Sequence, residues 1–173
     1  MNLYKKIVAF FTVFITLYSP YIFSVENTHA RIELQLEIEE SGCIVSPESN
    51  ELIIDLGVWS TKEFKYIGSK SSKMNFKIEL EECQTDNVSV MFSGKASSFN
   101  KDYLAVDNEE LSGIAIEFYD QDGTFIALNT LGASTKLKDG SNTLNYYANY
   151  VSGEEKIQAG VANAIMTFGL YYD

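Results

Sequence analysis

The chain is predicted to be all-β, a sandwich of short strands, and three observations carry that prediction. Apolar residues recur at every second position in run after run along the 173 residues, the period of a strand with one buried face. Clusters of Gly, Asn, Asp and Ser punctuate those runs as turns. No long stretch carries apolar residues at the helical period of 3.6, so helix is minor at most. Short strands at close spacing pack as two facing layers.

Residues 1–24 read as an export signal that is removed. Lys5 and Lys6 precede the apolar run IVAFFTVFITLY, Pro20 breaks it, and the small Ser24 follows. Ala30 also satisfies the small-residue rule, but cleavage at Ser24 keeps a polar lead before the next strand. In that strand Ile32, Leu34, Leu36 and Ile38 share one face, with Glu33, Gln35 and Glu37 on the other. Leu52, Ile54 and Leu56 alternate up to Gly57, and Met74, Phe76, Ile78 and Leu80 alternate up to Cys83. Val88, Val90 and Phe92 follow, then Ile114, Ile116 and Phe118. Asp120-Gln121-Asp122-Gly123 is a hairpin signal, returning along residues 125–128. Leu144, Tyr146, Ala148 and Tyr150 form the next strand.

Residues 160–173 are the most informative stretch. After Gly160, the residues Ala162, Ala164, Met166, Phe168, Leu170 and Tyr172 line one face almost to Asp173. A terminal strand frays unless a sheet holds it, so this one is expected to be gripped. Apolar rows near both ends of one small domain suggest subunits that pair strand to strand.

Composition excludes several functions. The 24 acidic against 13 basic residues disfavour nucleic acid, whose phosphates call for Lys and Arg, and anionic membranes as well. No stretch after the signal is apolar enough for membrane insertion. In an exported chain the two cysteines, Cys43 and Cys83, are expected to form a disulfide, since free thiols are improbable outside the cytosol. The single histidine, His29, lies in the polar lead, so no Ser-His-Asp or Cys-His arrangement and no metal site has its ligands, and no cofactor is expected. The acidic pairs Glu39-Glu40, Glu81-Glu82, Glu109-Glu110 and Glu154-Glu155 would split across a sheet and read as solvated charge. Asp120 and Asp122 read as turn residues rather than a calcium loop. An enzyme is therefore not expected. Tyr66, Tyr103, Tyr119, Tyr146, Tyr147, Tyr150 and Trp59 offer either packing or a sugar-stacking platform, and a glycan-binding subunit is the alternative function.

Taken together, several segments resemble the subunits of chaperone–usher pili of the type 1 kind. They are GCIV at 42–45, IIDLG at 53–57, FKIELEEC at 76–83, GIAIEFYDQDG at 113–123, LNYYANY at 144–150 and IQAGVANA at 157–164. The final alternating segment opening at Gly160, with its penultimate Tyr172, is the strongest element, and the cysteine pair sits where the family's disulfide sits. The resemblance implies an incomplete immunoglobulin-like β-sandwich, completed by a donor strand from a neighbouring subunit. It divides the chain into a signal (1–24), a donor extension (25–40) and a pilin domain (41–173). Ile32, Leu34, Leu36 and Ile38 would be the donor side chains, although the family carries a glycine where Leu36 stands. The residues from Gly160 to Tyr172 would border the acceptor groove. Implied partners are a periplasmic chaperone, an outer-membrane usher and neighbouring pilins, and the destination is the cell-surface fimbrium. Among rod subunit, tip adaptor and terminator, the short extension looks most like that of a minor tip adaptor, with rod subunits close.

Overall fold

The computed structural model of the protein describes residues 42–108, 111 and 113–172. The signal, the donor row Ile32, Leu34, Leu36 and Ile38, and the pairs Glu39-Glu40 and Glu109-Glu110 lie outside the described residues. Among the described residues nine strands form two sheets. β1 (Ile44–Val45), β2 (Met74–Cys83), β8 (Gly140–Ser152), β5 (Ile114–Asp120) and β4 (Leu104–Ala105) are neighbours in that order, and β6 (Phe125–Ile126) also pairs with β5. The second sheet is β7 (Thr135–Lys136), β3 (Asn87–Gly94) and β9 (Met166–Tyr172). Every pairing is antiparallel.

The core lies between the sheets, where the alternating rows meet. Phe76, Ile78 and Leu80 of β2, Leu144, Tyr146 and Ala148 of β8, and Ile116 and Phe118 of β5 face Val88, Val90 and Phe92 of β3. Phe92 is fully buried at the centre of an aromatic group, its ring 4.9 Å from Phe118, 5.1 Å from Tyr146 and 5.8 Å from Phe76. The predicted hairpin forms between β5 and β6. The Asp120 carboxylate accepts the N–H groups of Asp122 and Thr124, and Gly123 takes a positive φ of 82°. Asp120 and Asp122 therefore act as turn residues.

One irregularity in β2 places the disulfide. Phe76, Ile78 and Leu80 point inward, so strict alternation would turn Cys83 outward. Between Leu80↔Asn142 and Cys83↔Gly140 the pairing register shifts, and Glu82 has a φ of 51°. This bulge inserts a residue and turns Cys83 into the core, bonded to Cys43. Of the pair Glu81-Glu82, both side chains are exposed, as expected of solvated charge, but they do not split across a regular strand: Glu81 pairs with Ile44 of β1 and Glu82 sits in the bulge.

Two further expectations change. Residues 52–56 form no strand: Leu56 is buried and Ile54 half-buried, but Ile53 is fully exposed and the segment has no ladder. Pro47, which lacks an N–H, follows β1 at once. The short helix α1 (Pro47–Asn50) then carries the chain off the edge of β2, held by the N–H of Glu79 donating to the Ser49 hydroxyl at 2.8 Å. In addition, the last strand begins at Met166, not at Ala162, since residues 161–165 are extended without a ladder.

The outer face of the larger sheet holds a buried charge. Glu117, 1% exposed, receives the Lys70 ammonium at 2.8 Å and the Tyr119 hydroxyl at 2.6 Å. Asn149 across the ladder donates to it at 3.5 Å, and Lys70 also donates to the Tyr119 oxygen at 2.9 Å. Burial alone would push the Glu117 carboxyl up; the hydrogen bonds and charge of Lys70, with Tyr119 and Tyr103, outweigh it and hold the carboxyl low. A depressed folded value adds stability that is complete above the ordinary value of 4.5 and is lost as pH falls through the lower folded one. Glu117→Gln is therefore expected to be less stable at pH 7 by about 1–3 kcal/mol. Its urea midpoint is expected to fall less steeply than the wild type's from pH 5 towards pH 3. Parallel acid curves for the two proteins contradict this.

Candidate functional site

The face of the last segment that points at the core is not fully covered by it. Ala162, Ala164, Met166, Phe168, Leu170 and Tyr172 are each half-buried, whereas Val161, Asn163, Ile165, Thr167 and Tyr171 between them are exposed. The alternation read from the sequence thus extends over residues that form no ladder. In the neighbouring strand β3, by contrast, Val88, Val90 and Phe92 are fully enclosed.

The difference comes from the edges. β3 has β7 on one side and β9 on the other, while β9 pairs with β3 alone among the described residues. That pairing runs without a break from Val88↔Tyr172 to Gly94↔Met166, so the terminal strand is gripped along its length, but on one side. The outward-facing backbone N–H and C=O groups of β9 have no ladder there, which makes the edge a template for another strand.

Beside this edge lies a groove of about 800 Å³. Phe76, Ile116, Phe118 and Ala148 from the larger sheet form its floor. Ala164, Met166 and Phe168 form one wall, and Val45 with residues 52–54 and Leu56 form the other. Glu51 is the one charged residue among those that line it. Tyr150 and Ala162 close one end, the Tyr150 hydroxyl donating to the Ala162 carbonyl at 2.6 Å. Burial, with Asp55 nearby, pushes that hydroxyl's pKa up, so it remains a donor. Beyond the groove, at the far end of β9, the Tyr172 hydroxyl donates to the Cys43 carbonyl at 3.3 Å. A Cβ on Gly42 would come within 2.1 Å of the Tyr172 ring, so only glycine lets the chain pass there.

The site pairs an apolar trough with an unpaired strand edge. Such a site takes an extended chain with apolar residues at alternate positions: the backbone supplies hydrogen bonds and the side chains fill the trough. Its lining carries no acid/base pair or activated nucleophile suited to catalysis. Among the described residues no group of three or more His, Cys, Asp or Glu is placed to hold a metal, and no helix is long and apolar enough to cross a membrane.

Of the residues singled out from the sequence, Cys43 and Cys83 are bonded and pack in the core, and Ala162, Ala164, Met166 and Phe168 line the groove. Leu170 and Tyr172 continue the same face and pack on the core. Gly160 lies in the exposed loop before the strand, against Leu111. The floor and the opposite wall are not legible in the sequence, because nothing in a local period tells which distant strands will lie under an open edge. The aromatic platform does not assemble: Tyr119 and Tyr146 are buried, and Tyr103 packs edge-on against Phe99 and Phe125. The Trp59 indole N–H donates to the Leu56 carbonyl at 2.6 Å.

A two-layer immunoglobulin-like sandwich whose last strand, among the described residues, is paired on one side is the architecture of a pilus subunit. The sequence profile of the fimbrial protein family matches residues 32–173, and the chain belongs to that family. It is 32% identical, over the whole of both chains, to the probable major fimbrial subunit LpfA of Escherichia coli O157:H7. It is equally similar, again over both full lengths, to long polar fimbria protein A of Salmonella typhimurium, at 32%. Among solved structures, the P pilus rod subunit PapA superposes with a TM-score of 0.67 at 26% identity, covering 77% of this chain and all of that one. The protein is a structural subunit of a chaperone–usher fimbria at the cell surface, and it polymerises with neighbouring subunits. It is not an enzyme.

Proposed function

We propose that this subunit polymerises by donor-strand exchange, its groove receiving the extension of one neighbour while its own extension, residues 31–39, fills the groove of another. The observation that carries the reading is the half-buried row from Ala162 to Tyr172 beside an unpaired edge. Ile32, Leu34, Leu36 and Ile38 offer an apolar face of matching period. Burying each such side chain contributes about 1.5–3 kcal/mol before the costs of association. Leu36, where related extensions carry glycine, calls for depth in the receiving groove, and the small Ala148 and Ala164 in this one supply room. Before assembly a periplasmic chaperone would fill the groove with a strand of its own, and an outer-membrane usher would exchange it. Residues 1–24 serve as the export signal, and neither nucleic acid nor membrane insertion enters the cycle.

Within the fibre, the shaft suits this chain better than the tip-adaptor place suggested by its short extension. What favours the shaft is that one relative matching over its whole length is named a probable major fimbrial subunit, and that a rod subunit shares its fold. Adhesion is then supported indirectly, by a fibre that carries other subunits. A glycan-binding role has less to stand on, since the sequence's aromatic residues are dispersed between core and surface.

The test removes residues 31–39 and expresses the rest in the periplasm with and without the cognate chaperone. The truncated domain is expected to be unstable alone and to be rescued by a synthetic 31–39 peptide. At a hundredfold excess over Kd the peptide adds about 2.7 kcal/mol and raises Tm accordingly. A truncated domain that is stable alone and ignores the peptide overturns the reading.

A further inference from the structure

We infer that the end of the sandwich carrying Val58, Tyr66, Ile67 and Val161 is a second docking surface, which seats the disulfide end of the next copy of this chain; the inference rests on the donor-strand reading. Turn residues are ordinarily polar, yet the turn at residues 66–69 presents Tyr66 and Ile67, 71% and 67% exposed. Val58 is fully exposed and Val161 is 69% exposed. Topology brings these residues to one end. The Gly68 N–H donates to the Ser152 carbonyl at 2.7 Å, where β8 finishes, and the Gly153 N–H donates to Gly113 at 2.8 Å, where β5 begins. Beside Val58, Trp59 packs on a small separate core of Phe64, Val106, Leu111 and Ile114, and Ala162, next to Val161, packs on the same core. Exposed apolar groups gathered at one end of a domain mark an interaction surface.

The reach of the chain selects the occupant. Between the donor strand, residues 31–39, and Cys43 stand only Glu40, Ser41 and Gly42. A strand seated in the groove therefore holds its own body within about 14 Å of an end of the acceptor. β8 runs from one end of the domain to the other, about 40 Å, so the two ends are distinct surfaces. A fibre that keeps growing needs a head-to-tail contact between two different surfaces. The extension departs at Gly42, beside Tyr172 and the disulfide, so that end is the giving surface. If two disulfide ends met, like would face like, and the acceptor's own departing extension would lie in the joint. The receiving surface is then the opposite end, which the groove reaches at Tyr150 and Ala162.

The double variant Tyr66→Asp/Ile67→Asp, made in the full-length chain, separates this seat from the groove. Capture of a labelled 31–39 peptide is expected to match wild type, while complexes of full-length subunits dissociate about tenfold faster or more. Variant complexes as long-lived as wild-type ones overturn the seat. A wild-type subunit that assembles but never captures the peptide overturns the donor-strand reading, and the seat with it. A second variant, Ile67→Cys/Asp86→Cys, covers the case in which the aspartates unfold the turn. It places thiols on the receiving and giving ends, and a ladder of reducible oligomers is expected, with neither single variant extending beyond a dimer. Polymers that form without the ladder overturn the proposal.

Discussion

Replacing both Cys43 and Cys83 with alanine is expected to destabilise the domain by about 4 kcal/mol, read as a lower urea midpoint. The bridge closes a loop of sequence separation 40, and the chain-entropy relation assigns a loop of that size about this much. The bridge also ties β1 to β2 at the start of a segment with few other anchors. From residue 51 to Leu56 the chain has no ladder and forms one wall of the groove. Without the bridge this wall is free to move, so capture of the 31–39 peptide is expected to weaken together with stability. Cys83 is small and its removal opens little space, which makes the loop effect the dominant one. A loss below about 1 kcal/mol, with peptide capture unchanged, contradicts this account.

Phe92→Ala is expected to cost about 3–5 kcal/mol, a loss comparable to that of the bridge and of a different physical kind. Phe92 stands on the smaller sheet, and its ring contacts Phe76, Phe118 and Tyr146 from three strands of the larger one. Truncation removes those contacts and leaves a cavity that the sheets, each held by its own hydrogen bonds, cannot close. Phe76 and Phe118 also form the groove floor, so the cavity opens beneath the site. A domain with an uncovered edge has little stability in reserve, since typical totals are only about 5–15 kcal/mol. The variant is expected to be recovered mainly with its groove filled, by peptide or chaperone. Phe92→Leu, which keeps most of the volume, is expected to lose less than half as much. Equal losses for the two variants point to something other than the cavity.

Much of this architecture was legible because strand periodicity is local. The rows at Phe76–Ile78–Leu80, Val88–Val90–Phe92 and Ala162 to Tyr172 show the faces they were expected to show, and Asp120 and Gly123 form the expected turn. Where expectation and structure part, a neighbour decided. Residues 52–56 have the alternation of a strand but no partner edge, so the period produced an extended wall instead of a ladder. Glu117 alternates with Ile116 and Phe118 and would be assigned to solvent. Residues 69–71 run beside the end of β8, with Lys70 bridged to Val151, and from there the Lys70 side chain, with Tyr119, encloses the carboxylate. The bulge at Glu82 that turns Cys83 inward leaves no mark in the apolar pattern itself.

The sequence by itself thus determined the all-β class, the faces of its main strands, the cysteine pair and the family. Each of these depends on residue types at short spacing, which the backbone period converts directly into a face or a turn. Tertiary structure alone decided that β9 is held on one side and, among the described residues, open on the other, which distant side chains floor the groove, and which end of the domain gathers exposed apolar residues. Those outcomes depend on strands far apart in the chain coming together. Whether a half-buried row is a finished core or a site awaiting a strand depends on what lies across from it.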